Sequence, residues 1–118
     1  MDHLKLVLPE YLNDQGFLFG GYLLKWIDEV AYMTARLDHP GHTFVTVSLD
    51  SLEFKHRIQQ GQILRLAVKP ERQGNTSVRY AVDVVDAGED DGPVLFRTHI
   101  VLVSINDQGR PQSLKSGA

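Results

Sequence analysis

Apolar positions along the chain follow two periods. From Gly20 to Leu37 they recur three and four residues apart, at Leu23, Leu24, Ile27, Val30, Ala31 and Ala35, as on one face of an α-helix. Tyr22, Trp26, Tyr32 and Met33 widen that face and leave only Lys25, Asp28, Glu29 and Arg36 as a charged stripe. The pattern therefore predicts a helix about 25 Å long that is buried over most of its circumference. Gly20 and Gly21 mark its start, and the Asp38-His39-Pro40-Gly41 cluster stops it, because a proline bars the residue before it from helical angles. Beyond that cluster the period falls to two. Val45, Val47 and Leu49 fall on one face of a strand from Thr43 to Asp50, Leu64, Leu66 and Val68 on one face of the next clear strand, and Val78, Tyr80, Val82 and Val84 on one face of a third. Val94 to Ile105 is apolar on both faces, Leu52 to Ile58 reads as a weaker strand or bend, and His3 to Leu8 as a short strand ahead of the helix. Turn residues separate these segments at Gln60-Gly61, Gln73-Gly74-Asn75, the acidic run Gly88 to Gly92, and Asp107-Gln108-Gly109, and Lys115 to Ala118 is expected to fray.

One helix cannot cover both faces of such a sheet, and the doubly apolar last strand calls for cover on each of them. A second copy of the chain is the simplest cover. The expectation is an α+β fold of one domain over residues 1–118, with an antiparallel sheet of five to six strands wrapped around one central helix and completed as a homodimer or a higher assembly of dimers. That is the hotdog architecture. Composition agrees: 42% hydrophobic and 23% charged residues describe an ordinary globular chain. The net charge of -3 supplies no positive field for nucleic acid. The absence of cysteine excludes disulfides, thiolate metal sites and a cysteine nucleophile. No run approaches the 18 or so apolar residues of a membrane span, and the start has no secretory pattern, so a cytoplasmic protein with no membrane or nucleic-acid partner is expected.

Common catalytic motifs are missing: there is no GxGxxG, P-loop, HExxH or GxSxG. His39 and His42 bracket Pro40-Gly41 with only Asp38 nearby, which fits a solvent-facing turn better than a metal site. The informative stretch is Pro9 to Arg36, where an irregular polar loop feeds the di-glycine Gly20-Gly21 and then the helix. Two residues without Cβ atoms let a ligand approach backbone N–H groups at the positive end of a helix, which suits an oxyanion. Asp28 follows two turns later among apolar positions, where partial desolvation would suit a general base or nucleophile. Bland readings compete with each of these. Lys25, Asp28 and Glu29 form a solvated ionic stripe at helical spacing, Asn13 is an ordinary loop residue, and small residues at 20 and 21 permit close packing.

The run Asn13 to Ala31 has the pattern N-x-x-G-x-x-F-G-G-x-x-L-x-W-x-D-E-x-A, which resembles the acyl-CoA thioester hydrolases of the hotdog superfamily. Val47 to Phe54 followed by Gly61 is similar to the strand after the helix in that family, and Gly74-Asn75-Thr76-Ser77 to its G-x-[ST]-S turn. Where the family has a proline-containing bend, this chain has His56-Arg57. The resemblance implies hydrolysis of an acyl-CoA thioester in a groove between subunits, with no cofactor beyond the CoA of substrate and product. By the same resemblance Asp28 is the base or nucleophile, Asn13 of the partner subunit positions water or the thioester, and N–H groups at Gly20 and Gly21 face the oxyanion. Phe54, Arg72, Gly74, Thr76, Ser77 and Arg79 would bind the substrate. Asp14 is the rival carboxylate, and a non-catalytic acyl-CoA binding module is the alternative function. A hotdog dehydratase would need a histidine in the Asn13 to Ala31 run, which has none.

Overall fold

The computed structural model describes residues 1–54, 56–89 and 92–115, so Asp90 and Asp91 of the acidic turn, Lys55 of the expected weak strand and residues 116–118 of the expected frayed tail lie outside the described residues. In chain order the elements are β1 (Asp2–Leu6), α1 (Gly20–Asp38), β2 (Thr43–Phe54), β3 (Ile63–Gln73), β4 (Ser77–Asp86) and β5 (Val94–Ile105). The five strands form one antiparallel sheet in the order β1-β3-β4-β5-β2, and α1 packs across one face of it against β2, β3, β4 and β5. After β2 the chain crosses the sheet to reach β3. The expected weak strand is partly the end of β2, which runs to Phe54. No helix among the described residues is long and apolar enough to cross a membrane.

The helix face of the sheet carries the alternating side chains that periodicity assigned to one face of β3 and of β4, joined by those of β5. Leu64, Leu66, Val68, Tyr80, Val82, Val84, Phe96, Ile100 and Leu102 are almost fully buried against Leu23, Trp26, Ile27, Val30, Ala31 and Ala35 of α1. Each fully buried aliphatic side chain contributes roughly 1.5–3 kcal/mol. Removing Ile27, at the centre of this contact, would leave a cavity costing about 2–5 kcal/mol.

Two expectations are corrected. Val45, Val47 and Leu49 do not share a face, because Thr46 pairs with Leu102 while Ser48 pairs with the adjacent Val101, which makes Val47 the extra residue of a β-bulge. Val45, paired with Val103, therefore lies on the outer face, and Leu49, paired with Ile100, on the helix face. The bulge inverts the alternation that the sequence suggests. Nor does the helix bury most of its circumference within one chain, since Met33 is 43% and Leu37 64% exposed.

β2 is an edge strand on which Val45 and Val47 stand open to solvent. The radius of gyration is 15.4 Å, whereas a compact chain of this length has about 13.5 Å. An open edge strand presents unpaired backbone N–H and C=O groups to which another strand can pair.

Candidate functional site

The loop between β1 and α1 is held by its aromatic residues and by Asn13. After a 3-10 turn at Pro9–Tyr11, the Tyr11 ring meets Trp26 of α1 edge-on at 4.9 Å. Asn13 Oδ1 accepts N–H bonds from Gln15 at 2.9 Å and Phe17 at 3.1 Å, while its own N–H donates to the Phe17 carbonyl at 2.7 Å. Gly16 closes this turn at φ +87°, an angle that a side chain would strain. Leu18 N–H then bonds to the Ile58 carbonyl and Phe19 N–H to that of Tyr11, each within 2.9 Å, which delivers the chain to the helix. Asn13 is thus a loop-forming residue in its own chain. Two backbone donors occupy its carbonyl oxygen, so Nδ2 is the end of the side chain left for a ligand.

Helix α1 begins without a side-chain cap at Phe19. Tyr22 N–H bonds to the Phe19 carbonyl, and the N–H groups of Gly20 and Gly21 have no acceptor among the described residues. A methyl group at Gly20 would stand 3.0 Å from Phe54 Cζ, and one at Gly21 2.9 Å from Phe19 Cε1. The glycines therefore serve close packing and also leave two N–H donors free. Beside them a pocket of about 330 Å³ is lined by Asn13, Phe17, Leu18, Phe54, Arg57 and Ile58, with Gln15 and His56 at its polar parts.

Asp28 points from α1 toward β2, where Thr46 Oγ1 donates to its Oδ1 at 2.5 Å. Lys25 pairs instead with Glu29, at 3.8 Å and in solvent. The ionic stripe expected from spacing thus lacks its third member. Thr46 is the residue that sequence reasoning missed, because its contact depends on how β2 lies against α1, and no local pattern encodes that. Asp14, the rival carboxylate, is exposed on the loop.

The remaining expected substrate residues stand at the opposite end of the sheet. Phe54 pairs with Phe96 and Ser77 with Val103; seven residues of β5 separate the two places, about 24 Å along a strand. Gly74 N–H closes the β3–β4 turn onto the Ser77 carbonyl at 2.8 Å, and a Cβ at position 74 would crowd Ser77 Oγ at 2.9 Å. The Thr76 carbonyl accepts from Ser104 N–H and that of Asn75 from Leu114 N–H, both at 2.8 Å. Arg79 is paired with Glu71 at 2.6 Å and Asp50 at 3.1 Å, and the Glu71 hydrogen bond holds its proton more tightly than usual. Arg72 is exposed on a separate cleft of about 470 Å³, beside Asp38, His39 and Tyr80. There the Tyr80 hydroxyl donates to Asp38 at 3.0 Å, and burial is the main cause that pushes its pKa well above the usual value. His39 and His42, expected to face solvent, are half-buried against Phe44, with His42 Nδ1 3.0 Å from the buried Ser104 hydroxyl. His99 lies half-buried on the outer face, its Nδ1 3.0 Å from Glu71 but out of line for a hydrogen bond.

The family model of the Thioesterase superfamily matches residues 15–92. Acyl-coenzyme A thioesterase 11 of Mus musculus is 41% identical over 81 residues, covering 69% of this chain and 14% of that protein. Cytosolic acyl coenzyme A thioester hydrolase of Rattus norvegicus is 30% identical over 113 residues, covering 92% of this chain and 29% of that protein. The chain thus spans a minor part of the length of these relatives. Among solved structures, the acyl-CoA hydrolase of Staphylococcus aureus with butyryl coenzyme A and coenzyme A matches with a TM-score of 0.82 at 29% identity, over 96% of this chain and 67% of that one. Its variants with alanine in place of an aspartate, a threonine or an asparagine match with TM-scores of 0.83 to 0.84. An apo hexameric acyl-CoA thioesterase matches with a TM-score of 0.84 at 31% identity, over 96% of this chain and 73% of that one.

Proposed function

The chain belongs to the Thioesterase superfamily and has its hotdog fold, and on that premise we propose that it hydrolyses acyl-CoA thioesters to a carboxylic acid and CoA at sites shared between two subunits. The observation that carries this reading is the Asp28 carboxylate, set among apolar helix positions and oriented by the Thr46 hydroxyl. The thioester carbonyl oxygen lies against the free N–H groups of Gly20 and Gly21, whose partial positive charge meets the negative charge that develops there. Asn13 contributes Nδ2 and donates to that same oxygen, since its carbonyl is taken by the loop. Asp28 acts either as the base that removes a proton from water as the water oxygen bonds to the acyl carbon, or as the nucleophile whose acyl adduct water then opens. In both cases the C–S bond breaks, the sulfur leaves as thiolate and a proton from water ends on it. CoA is substrate and product, and the scheme needs no cofactor.

The subunit arrangement follows from the edge strand. Asp28 lies roughly 10 Å of helix rise beyond the di-glycine, and among the described residues no hydrogen bond or common pocket joins it to Asn13. Antiparallel pairing of two β2 edges about a two-fold axis lays the Asn13 and Phe54 end of one copy beside the Thr43 to Thr46 end of the other. It likewise brings the Gly74 to Ser77 turn of one chain toward the pocket of its partner. In this arrangement Gly74, Thr76 and Ser77 hold the pantetheine arm and Arg72 the phosphates, while Arg79 joins only by giving up a carboxylate partner. The S. aureus enzyme supports the assignment: its substituted asparagine and aspartate are 15 positions apart, as are Asn13 and Asp28. Its substituted threonine follows that aspartate by 17 positions, against 18 from Asp28 to Thr46. We place the protein in the cytoplasm, where the name of the rat relative places that protein.

The test is thiol release from a panel of acyl-CoAs, with wild type beside Asp28→Asn. Release that falls by about a hundredfold or more in the variant, with its circular dichroism unchanged, is the expected outcome. Tight binding of acyl-CoA without release would make the protein a binding module instead.

A further inference from the structure

We infer that the pocket beside Asn13 receives the acyl group and selects one with an anionic end, a short dicarboxylyl chain on CoA, through Arg57; the inference rests on the thioester-hydrolase reading above. The pocket shares Asn13 with the thioester site, and the Phe54 ring on its wall covers Gly20, so an acyl chain leaving a carbonyl held there runs into it. Phe17, Leu18, Phe54 and Ile58 give it apolar walls suited to methylenes. Its polar end is cationic. In a chain with 15 acidic and 12 basic residues, no aspartate or glutamate among the described residues lines this pocket, while Arg57 does.

The guanidinium is also placed. Its carbon stands 4.8 Å over the Phe17 ring, a cation-π contact, and Phe17 is one of the two residues whose N–H groups fix Asn13 Oδ1. One residue thus helps to position both the thioester donor and the cation. No carboxylate among the described residues pairs with Arg57, so its planar fork is open to a ligand carboxylate. At about 330 Å³, the pocket is at the small end of ligand sites, which run from about 300 to 1,000 Å³. That favours a short chain over a long fatty one. The other anion that could meet Arg57 is a CoA phosphate, but the pantetheine arm with its two amides carries the phosphates away from a pocket of this size.

The experiment measures calorimetric binding of two unhydrolysable thioethers, S-(4-carboxybutyl)-CoA and S-pentyl-CoA, to the wild type, Arg57→Leu and Arg57→Lys, and repeats it with the same two groups on pantetheine. Wild type is expected to bind the carboxylate at least ten times more tightly than the neutral thioether on both carriers. Arg57→Leu should bring that ratio near one, with Arg57→Lys between. A ratio near one in the wild type overturns the inference. So does equal weakening of both CoA thioethers by Arg57→Leu with no effect on the pantetheine pair, which would assign Arg57 to the phosphates. Thiol release from dicarboxylyl and neutral acyl-CoAs, measured on the same preparation, reports separately on hydrolysis: preference without release from either refutes the hydrolase alone, and release without preference refutes the pocket assignment alone.

Discussion

Thr46 gives Asp28 a hydroxyl donor at 2.5 Å, and a hydrogen bond to a charged group contributes about 1.5–3 kcal/mol. Thr46→Val keeps the shape and removes the donor. Under the proposed mechanism kcat should fall about 10- to 100-fold with KM little changed, whereas Thr46→Ser should keep most of the rate. Equal activity in Thr46→Val would mean that the bond serves only the fold. The His3 ring lies half-buried on β1 with Nε2 shielded and unpartnered among the described residues. Burial first, then the N-terminal ammonium, lowers its pKa below 6.5, with Asp2 acting weakly in the opposite direction. The fold therefore prefers the neutral ring. Above pH 6.5 nothing is lost; as the pH falls from 6.5 through the folded pKa, the unfolded chain binds the proton first and stability declines. Melting temperatures between pH 7.5 and 5 should fall less steeply for His3→Gln than for the wild type. Parallel curves would locate the acid sensitivity elsewhere.

Within the elements, the di-glycine that opens α1 can be resolved into two different glycines. A methyl at Gly20 meets the Phe54 ring, which is 50% exposed but packs at 4.7 Å against buried Phe96, so that it yields only by giving up that contact. A methyl at Gly21 meets Phe19, whose ring is 54% exposed and free to swing away. Overpacking costs about 1–3 kcal/mol, while alanine gains up to about 1 kcal/mol over glycine in a helix. Gly20→Ala should therefore lower stability in urea unfolding, and Gly21→Ala should leave it nearly unchanged; the reverse order would contradict the packing described here. The sequence made the helix legible to within one residue of its C-terminus, since a buried amphipathic face with a di-glycine start and a proline stop is local information. It also set Asp28 apart as a carboxylate among apolar helix positions, whereas Asn13, in a polar loop, was marked only by the family resemblance. The bulge at Val47, by contrast, is invisible in the alternation because the extra residue is itself apolar. Thr46 escaped for a related reason: a threonine in a strand is ordinary until the strand is laid against a helix that carries a carboxylate.

At the scale of the whole molecule, a 13.3 kDa chain whose β2 edge and helix residues Met33 and Leu37 stand open should not persist as a monomer. Subunit mixing tests the stronger claim that the partner completes the site. Asn13→Ala and Asp28→Asn homodimers should each be inactive, because each lacks one component at both of its sites. After dissociation and reassociation a heterodimer has one site with both substitutions and one with neither. Random pairing makes half of the dimers heterodimers, so about a quarter of the wild-type activity should return. If both residues instead served the site of their own chain, every site in the mixture would carry one substitution and no activity would return. Native mass spectrometry, by counting the heterodimers in the same sample, decides whether silence in the assay means failed exchange or a site built in cis, and silence with heterodimers present would refute the shared site.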